Sequence, residues 1–245
     1  MVKESTMRIT GLICALLVAA LSWAIAEEEG RTEAAQELEQ ALRDLNRPQE
    51  NGSHLQHPGW HDSQVKNRLK RLVETQRGTE EALTAEFWLA TASLEVSQAT
   101  TDRKARREQM LSVCAAYDRL IKESPRSWRA KAARIGRCFA LYGASEFDCF
   151  RSETVNVFSN ISAYATETNA NFVSYLQAYP ASVAEVECEL RFLRVVAACS
   201  EGKFDRAIEE AEELQNKHPE WSQRRRIPGK IAMLKNGQNP FGLAR

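Results

Sequence analysis

Residues 195–221 read VVAACSEGKFDRAIEEAEELQNKHPEW, and this stretch predicts two amphipathic helices joined by a short turn. Gly202 is placed to end the first helix, because glycine adopts the left-handed backbone conformation that follows many helices at little cost. Pro219 is expected to end the second helix, since proline cannot continue one. Apolar and small residues recur at helical spacing between them, namely Phe204, Ala207, Ile208, Ala211 and Leu214. The stretch therefore predicts a helical hairpin.

A related pattern occurs three times in the chain: an aromatic or small residue, a large apolar residue three positions later, and a proline five positions after that. The three copies are Tyr117, Leu120 and Pro125; Phe172, Tyr175 and Pro180; and Ala211, Leu214 and Pro219. After Pro125 a matching first helix follows, in which Gly136 is the small residue, Phe139 the aromatic residue and Gly143 the terminal residue of the pattern. The prolines are unequally spaced, so the pattern predicts irregular repeats of helical hairpins.

The spacing of five residues in residues 195–221 resembles the tetratricopeptide repeat. These residues are Gly202, Phe204, Asp205, Ala207 and Pro219. The resemblance extends over residues 80–236, most clearly in the last third. It implies an all-α, irregular array of helical hairpins, a solenoid over residues 63–236, whose hairpins stack because one alone cannot bury its apolar face. It also implies a scaffold that binds another protein or an extended peptide.

In the tetratricopeptide family the first helix of each pair lines the ligand groove. The resemblance places six residues there: Phe192, Val196 and Cys199 on the later hairpin, and Arg137, Ala140 and Leu141 on the earlier one. Apolar surface with one cation suits an extended peptide that carries an acidic group. The alternative is that these residues pack against residues 147–179 and belong to the core.

Residues 1–26 have the pattern of a secretory signal peptide. Lys3 and Arg8 precede an apolar run that ends in small residues at Ala24 and Ala26, and three glutamates follow. We expect cleavage after Ala26 and export; the alternative is an uncleaved membrane anchor at the N-terminus. With this segment the chain resembles exported tetratricopeptide proteins such as the Tol–Pal division coordinator and outer-membrane assembly proteins. The resemblance implies a periplasmic or secreted protein of the cell envelope.

Residues 27–62 predict a short amphipathic helix followed by a flexible linker. Residues 31–46 carry a leucine stripe that is too short for a coiled coil, and the linker contains two prolines and two Gly-containing turns. His54, His57 and His61 are potential zinc or copper ligands, which gives an alternative function as a metal-dependent accessory enzyme. Because Pro58 and Gly59 separate these histidines, we expect a solvated linker and no metal.

Charge and motifs restrict the remaining function classes. The 33 Lys and Arg residues balance the 33 Asp and Glu residues, so no overall field attracts nucleic acid. A helix that Ser63 is placed to cap carries four cations. This gives a second alternative, an envelope protein that contacts membrane or anionic cell-wall polymer through basic helices. These cations are Lys66, Arg68, Lys70 and Arg71. No nucleotide-binding, metalloprotease or serine-hydrolase motif is present, so we expect neither a cofactor nor catalysis.

Five cysteines follow the predicted signal peptide: Cys114, Cys138, Cys149, Cys188 and Cys199. Hairpin geometry would set Cys138 level with either Cys114 or Cys149, and the alternative is that all five are small buried thiols. Residues 147–179 predict one elongated helix or two short ones, and residues 222–236 predict a terminal helix. Residues 237–245 predict a disordered tail.

Overall fold

The computed structural model describes residues 33–45, 62–178 and 182–242, and the regular elements in these ranges are all α-helices. The predicted all-α class is therefore confirmed. The predicted signal peptide, the histidines from His54 to His61 and Pro180 lie outside the described residues.

Twelve helices follow one another in the described ranges. They are α1 (33–45), α2 (Ser63–Thr75), α3 (Glu80–Ala99), α4 (Arg103–Glu123), α5 (Trp128–Gly143), α6 (Phe147–Ser159), α7 (Ile161–Ala165), α8 (Ala170–Ala178), α9 (Val183–Ser200), α10 (Phe204–Lys217), α11 (Pro219–Arg224) and α12 (Ile227–Lys235). The chain divides into two compact units, Met1–Ala85 and Glu86–Arg245.

In the first unit, α1 and α2 are joined by ion pairs between their polar faces. Arg68 Nη2 lies 2.6 Å from Asp44 Oδ2, and Arg71 pairs with Glu37. Two of the four cations on the basic helix are therefore paired within the chain, which leaves less charge for an anionic surface. The helix is capped by Asp62 instead of Ser63, because the Asp62 carboxylate accepts the N–H groups of residues 64 and 65.

The second unit contains an aromatic cluster centred on Phe87, which is fully buried. Its ring lies edge-on to Trp88, Trp128 and Tyr175, with centroid distances of 5.4, 5.2 and 5.3 Å, and 6.2 Å from Tyr117. These rings come from α3, α4, α5 and α8, so one side chain holds four helices together.

Two glycines allow α4 and α5 to approach closely. A Cβ atom on Gly136 would come within 2.6 Å of the Tyr117 ring, and one on Gly143 within 2.9 Å of Met110 Cε. The exposed Pro125 lies in the turn that joins the two helices. Gly136 therefore occupies a position of close approach between the two helices.

The structure corrects three boundaries. Residues 147–178 form three helices, α6 to α8, with a break after Thr166. The predicted terminal helix is interrupted, because Arg226 is left-handed (φ 55°) and Pro228 favours a new helix start. Residues 237–242 are not a disordered tail, since the ring of Phe241 packs 5.7 Å from that of Phe192.

The five described cysteines are free thiols, so Cys138 is bridged neither to Cys114 nor to Cys149. Four of them are buried, whereas Cys149 is exposed. Burial raises the pKa of Cys114 to about 12, which suppresses the reactive thiolate. These four cysteines therefore pack as small apolar residues.

Candidate functional site

The six residues predicted to line a groove do not form one. Four are buried: Ala140, Leu141, Val196 and Cys199, with exposed fractions of 0, 5, 8 and 3%. They are buried because α5 and α9 pack against neighbouring helices on several sides, whereas a groove helix leaves one face open. This observation favours the alternative that the stripe belongs to the core.

The other two predicted residues are covered by side chains of the same unit. The Phe192 ring lies 5.9 Å from Trp221 and also contacts Phe241. Arg137 is held between Asp118, 2.6 Å from its Nε, and Glu153, 2.7 Å from its Nη1. Neither side chain is free to take a ligand without breaking these contacts.

The hairpins α5–α6 and α9–α10 carry corresponding ion pairs. Arg137 on α5 binds Glu153 on α6, and Arg194 on α9 binds Glu210 on α10 at 2.5 Å. The two partners are 16 residues apart in both hairpins, and both glutamates are buried. The same polar contact therefore fixes the register of the two helix pairs.

The turns of these hairpins also correspond. Ser145 and Gly202 both adopt the left-handed conformation, with φ of 62° and 73°. The residue after each one donates its N–H to a carbonyl five positions earlier, Leu141 and Ala198 respectively, at 2.9 Å in both cases. Gly202 is thus the left-handed residue that follows its helix, as predicted. In the earlier hairpin Ser145 takes this left-handed position, and Gly143 is the last residue of α5.

This register was present in the sequence and was missed. Arg134-x-x-Arg137 and Arg191-x-x-Arg194 are each followed by Phe-Asp and then by the paired glutamate at identical spacing. The Phe-Asp pairs are Phe147-Asp148 and Phe204-Asp205. The groove prediction aligns the earlier hairpin on Gly136 and Gly143, which places it in a different register. That alignment depends on the glycines and does not use the charged residues.

A cavity of about 320 Å³ opens beside the earlier hairpin, where α5, α6 and α7 meet. It is lined by Pro125, Lys131, Arg134, Asn156, Asn160, Ala163 and Tyr164. Lys131 Nζ lies 2.5 Å from Glu167 Oε2, and Arg134 Nη1 lies 3.2 Å from Glu153 Oε1. The lining is polar and includes two cations on successive turns of α5.

The chemistry of this cavity is hydrogen bonding and charge. The hydrogen bond from Lys131 lowers the pKa of Glu167, and burial raises the pKa of Tyr164 to about 12. Near neutral pH the carboxylate is therefore ionised and the phenol keeps its proton. Neither group therefore changes its protonation state near that pH.

Three comparisons with known proteins bear on the identity of this chain. Comparison with family models, with curated proteins and with solved structures finds no match to this chain.

Within the described ranges, no group of three or more His, Cys, Asp or Glu side chains is arranged to hold a metal ion. We also find no helix in those ranges with the length and apolar character of a membrane span.

A buried arginine connects α6 to the end of α9. Arg151 binds Glu201 through Nη1 at 2.6 Å and Nη2 at 3.1 Å, and it also binds Asp148 at 2.5 Å. The hydrogen bond from Arg151 lowers the pKa of Glu201 below its ordinary value of 4.5. Glu201 therefore contributes stability above that pH, and the contribution is lost as the pH falls through the lowered folded-state pKa.

We expect Glu201→Gln to lower the melting temperature at about pH 7 and by less at about pH 3, because protonation of the wild-type carboxyl removes its charge as the pH falls through its lowered pKa. Thermal melts followed by circular dichroism across this range measure the difference. Glu212→Gln, a surface variant on α10, serves as the control. A deficit that is the same at both pH values would show that Glu201 does not act through its charge.

Proposed function

We propose that this chain is an exported scaffold of tetratricopeptide-like helical hairpins, which binds an extended segment of a partner protein in the cavity between α5, α6 and α7. The observation that carries the proposal is the cavity itself, which lies beside one of two hairpins with matching ion pairs and matching turns. Hairpin repeats of this kind present ligand surfaces along their stacked helices.

The amides of Asn156 and Asn160 support a peptide ligand. Each primary amide carries both a donor and an acceptor, as does each peptide unit, so such side chains can hold an extended backbone whatever its sequence. Asn160 Nδ2 donates to the carbonyl oxygen of Asn156 at 2.8 Å, which orients the Asn160 oxygen. Both side chains are exposed at the cavity rim, where a partner can reach them.

Export rests on residues 1–26 and their signal-like pattern. The scaffold function requires a site that binds a ligand and does not require a catalytic site. The alternative of a membrane- or polymer-binding protein has less support, because Arg68 and Arg71 are paired with carboxylates on α1.

Selection of displayed random peptides on the immobilised mature chain tests the proposal. We expect enriched peptides that bind wild type and lose about tenfold in affinity to the double variant Asn156→Ala, Asn160→Ala, since two hydrogen bonds are lost. Asn216→Ala, on the exposed end of α10, is the matched control. Equal affinities for wild type and the double variant, or no enrichment at all, would remove the cavity as the binding site of a peptide.

A further inference from the structure

We infer that the partner segment carries an acidic side chain, Asp or Glu, whose carboxylate binds Arg134 in this cavity. The inference rests on the proposed function and names the group that the site selects. Its basis is a comparison of Arg134 with Arg191, the arginine at the corresponding position of the later hairpin.

The guanidinium of Arg191 has a carboxylate partner at each of its three nitrogen atoms. Its Nε and Nη2 atoms lie 2.9 and 2.8 Å from Glu187 Oε1, and its Nη1 lies 2.9 Å from Glu213 Oε1. The ring of Phe158 covers the guanidinium, with 4.4 Å between its centroid and the Arg191 carbon. Only 7% of the side chain is exposed, so every edge of this guanidinium is already occupied.

Arg134 lacks both of these acids. The positions that correspond to Glu187 and Glu213 are taken by Ala130 and Asn156, which carry no charge. Its one carboxylate contact among the described residues is Nη1 to Glu153, at 3.2 Å, and the other oxygen of Glu153 belongs to Arg137. The side chain is 31% exposed and lines the cavity, and among the described residues no carboxylate contacts its Nε or Nη2 atom.

A carboxylate complements the Nε and Nη2 edge of Arg134. Two parallel N–H groups of a guanidinium match the two oxygens of a carboxylate, and charge-assisted pairs of this kind are about twice as strong as neutral hydrogen bonds. The ammonium of Lys131 lies on the same face of α5, three residues earlier, and adds a second positive group. An acidic side chain from the partner would thus occupy the place that Glu187 and Glu213 fill around Arg191.

The test observes the arginine Nε–H resonances by nuclear magnetic resonance while the blocked amino acid acetyl-glutamate methylamide is added to the full mature chain. We expect a saturable shift of the Arg134 resonance and no shift of the Arg191 resonance, which is the internal control. The glutamine counterpart of the probe should cause no saturable shift. Equal shifts at both arginines, or none at Arg134, would overturn the inference, as would saturation by phosphate but not by the glutamate probe.

A second variant supplies the missing acid from within the chain. Asn156→Glu is expected to pair with Arg134 as Glu213 pairs with Arg191, to abolish the probe-induced shift and to raise the melting temperature by about 1–3 °C. Asn216→Glu adds the same charge at the exposed end of α10, away from the cavity, and should retain the shift. If Asn156→Glu still shows the full shift, Arg134 is not the binding group.

The two proposals can fail separately. Selected peptides that lack acidic residues but depend on Asn156 and Asn160 would support the peptide site and overturn the choice of a carboxylate. A saturable Arg134 shift without any selected peptide would support the carboxylate site and overturn the scaffold function.

Discussion

Phe87→Ala is expected to lower the free energy of unfolding of the Glu86–Arg245 unit by about 3–5 kcal/mol. The side chain is fully buried and lies edge-on to three aromatic rings on three helices, so alanine would leave a cavity that rigid neighbours cannot fill. Urea denaturation followed by far-ultraviolet circular dichroism measures the change.

Phe147→Ala is the matched control for this prediction. Phe147 is half-buried at the start of α6, and its ring lies 6.0 Å from that of Tyr142 between centroids. We expect a loss of about 1–2 kcal/mol for this variant, since less apolar area leaves water on folding. A loss for Phe87→Ala no larger than that of the control would show that the aromatic cluster does not hold the four helices together.

Ala207→Trp is expected to destabilise the same unit by about 1–3 kcal/mol, or to prevent folding of α9–α12 altogether. Ala207 is completely buried in a cluster with Leu214, Trp221 and Ile227, where no space exists for an indole ring. Asn216→Trp adds the same ring at an exposed position of α10 and should change the stability by less than about 0.5 kcal/mol. Similar melting curves for the two variants would contradict the packing described for Ala207.

The helix type and many boundaries could be predicted from the sequence because they depend on local chemistry. Asp102 begins α4 by accepting the N–H of Ala105, and Gly202 ends α9 in the left-handed conformation. Ala207 and Leu214 fall on the buried face of α10, as helical periodicity requires. Each of these inferences needs only residues within one or two turns of the chain.

The binding face could not be predicted in the same way, because burial of a helix depends on how many neighbours it has. Periodicity finds one apolar face, but Val196 and Cys199 lie on a helix that packs against several others. Their small and apolar character was compatible with a groove wall and with a core. Only the arrangement in space distinguishes the two.

The charged residues held information that the apolar pattern did not. Arg137 and Glu153 match Arg194 and Glu210 in spacing, and this match identifies the two corresponding hairpins directly. A comparison of charged positions at a fixed offset would have found it. It would also have shown that Asn156 stands where the later hairpin has Glu213, which is the basis of the carboxylate site.

The packing of α5 against several other helices has a consequence for the order in which the unit opens. None of its residues is exposed, and it packs against α4, α6, α8 and α9. Stacked hairpins often unravel from their ends, one at a time. Here α5 belongs to one of the two corresponding hairpins and packs against α9 of the other. Neither hairpin can therefore detach without exposing α5. Amide hydrogens of α5 should therefore exchange with solvent only when the whole unit unfolds in one cooperative step.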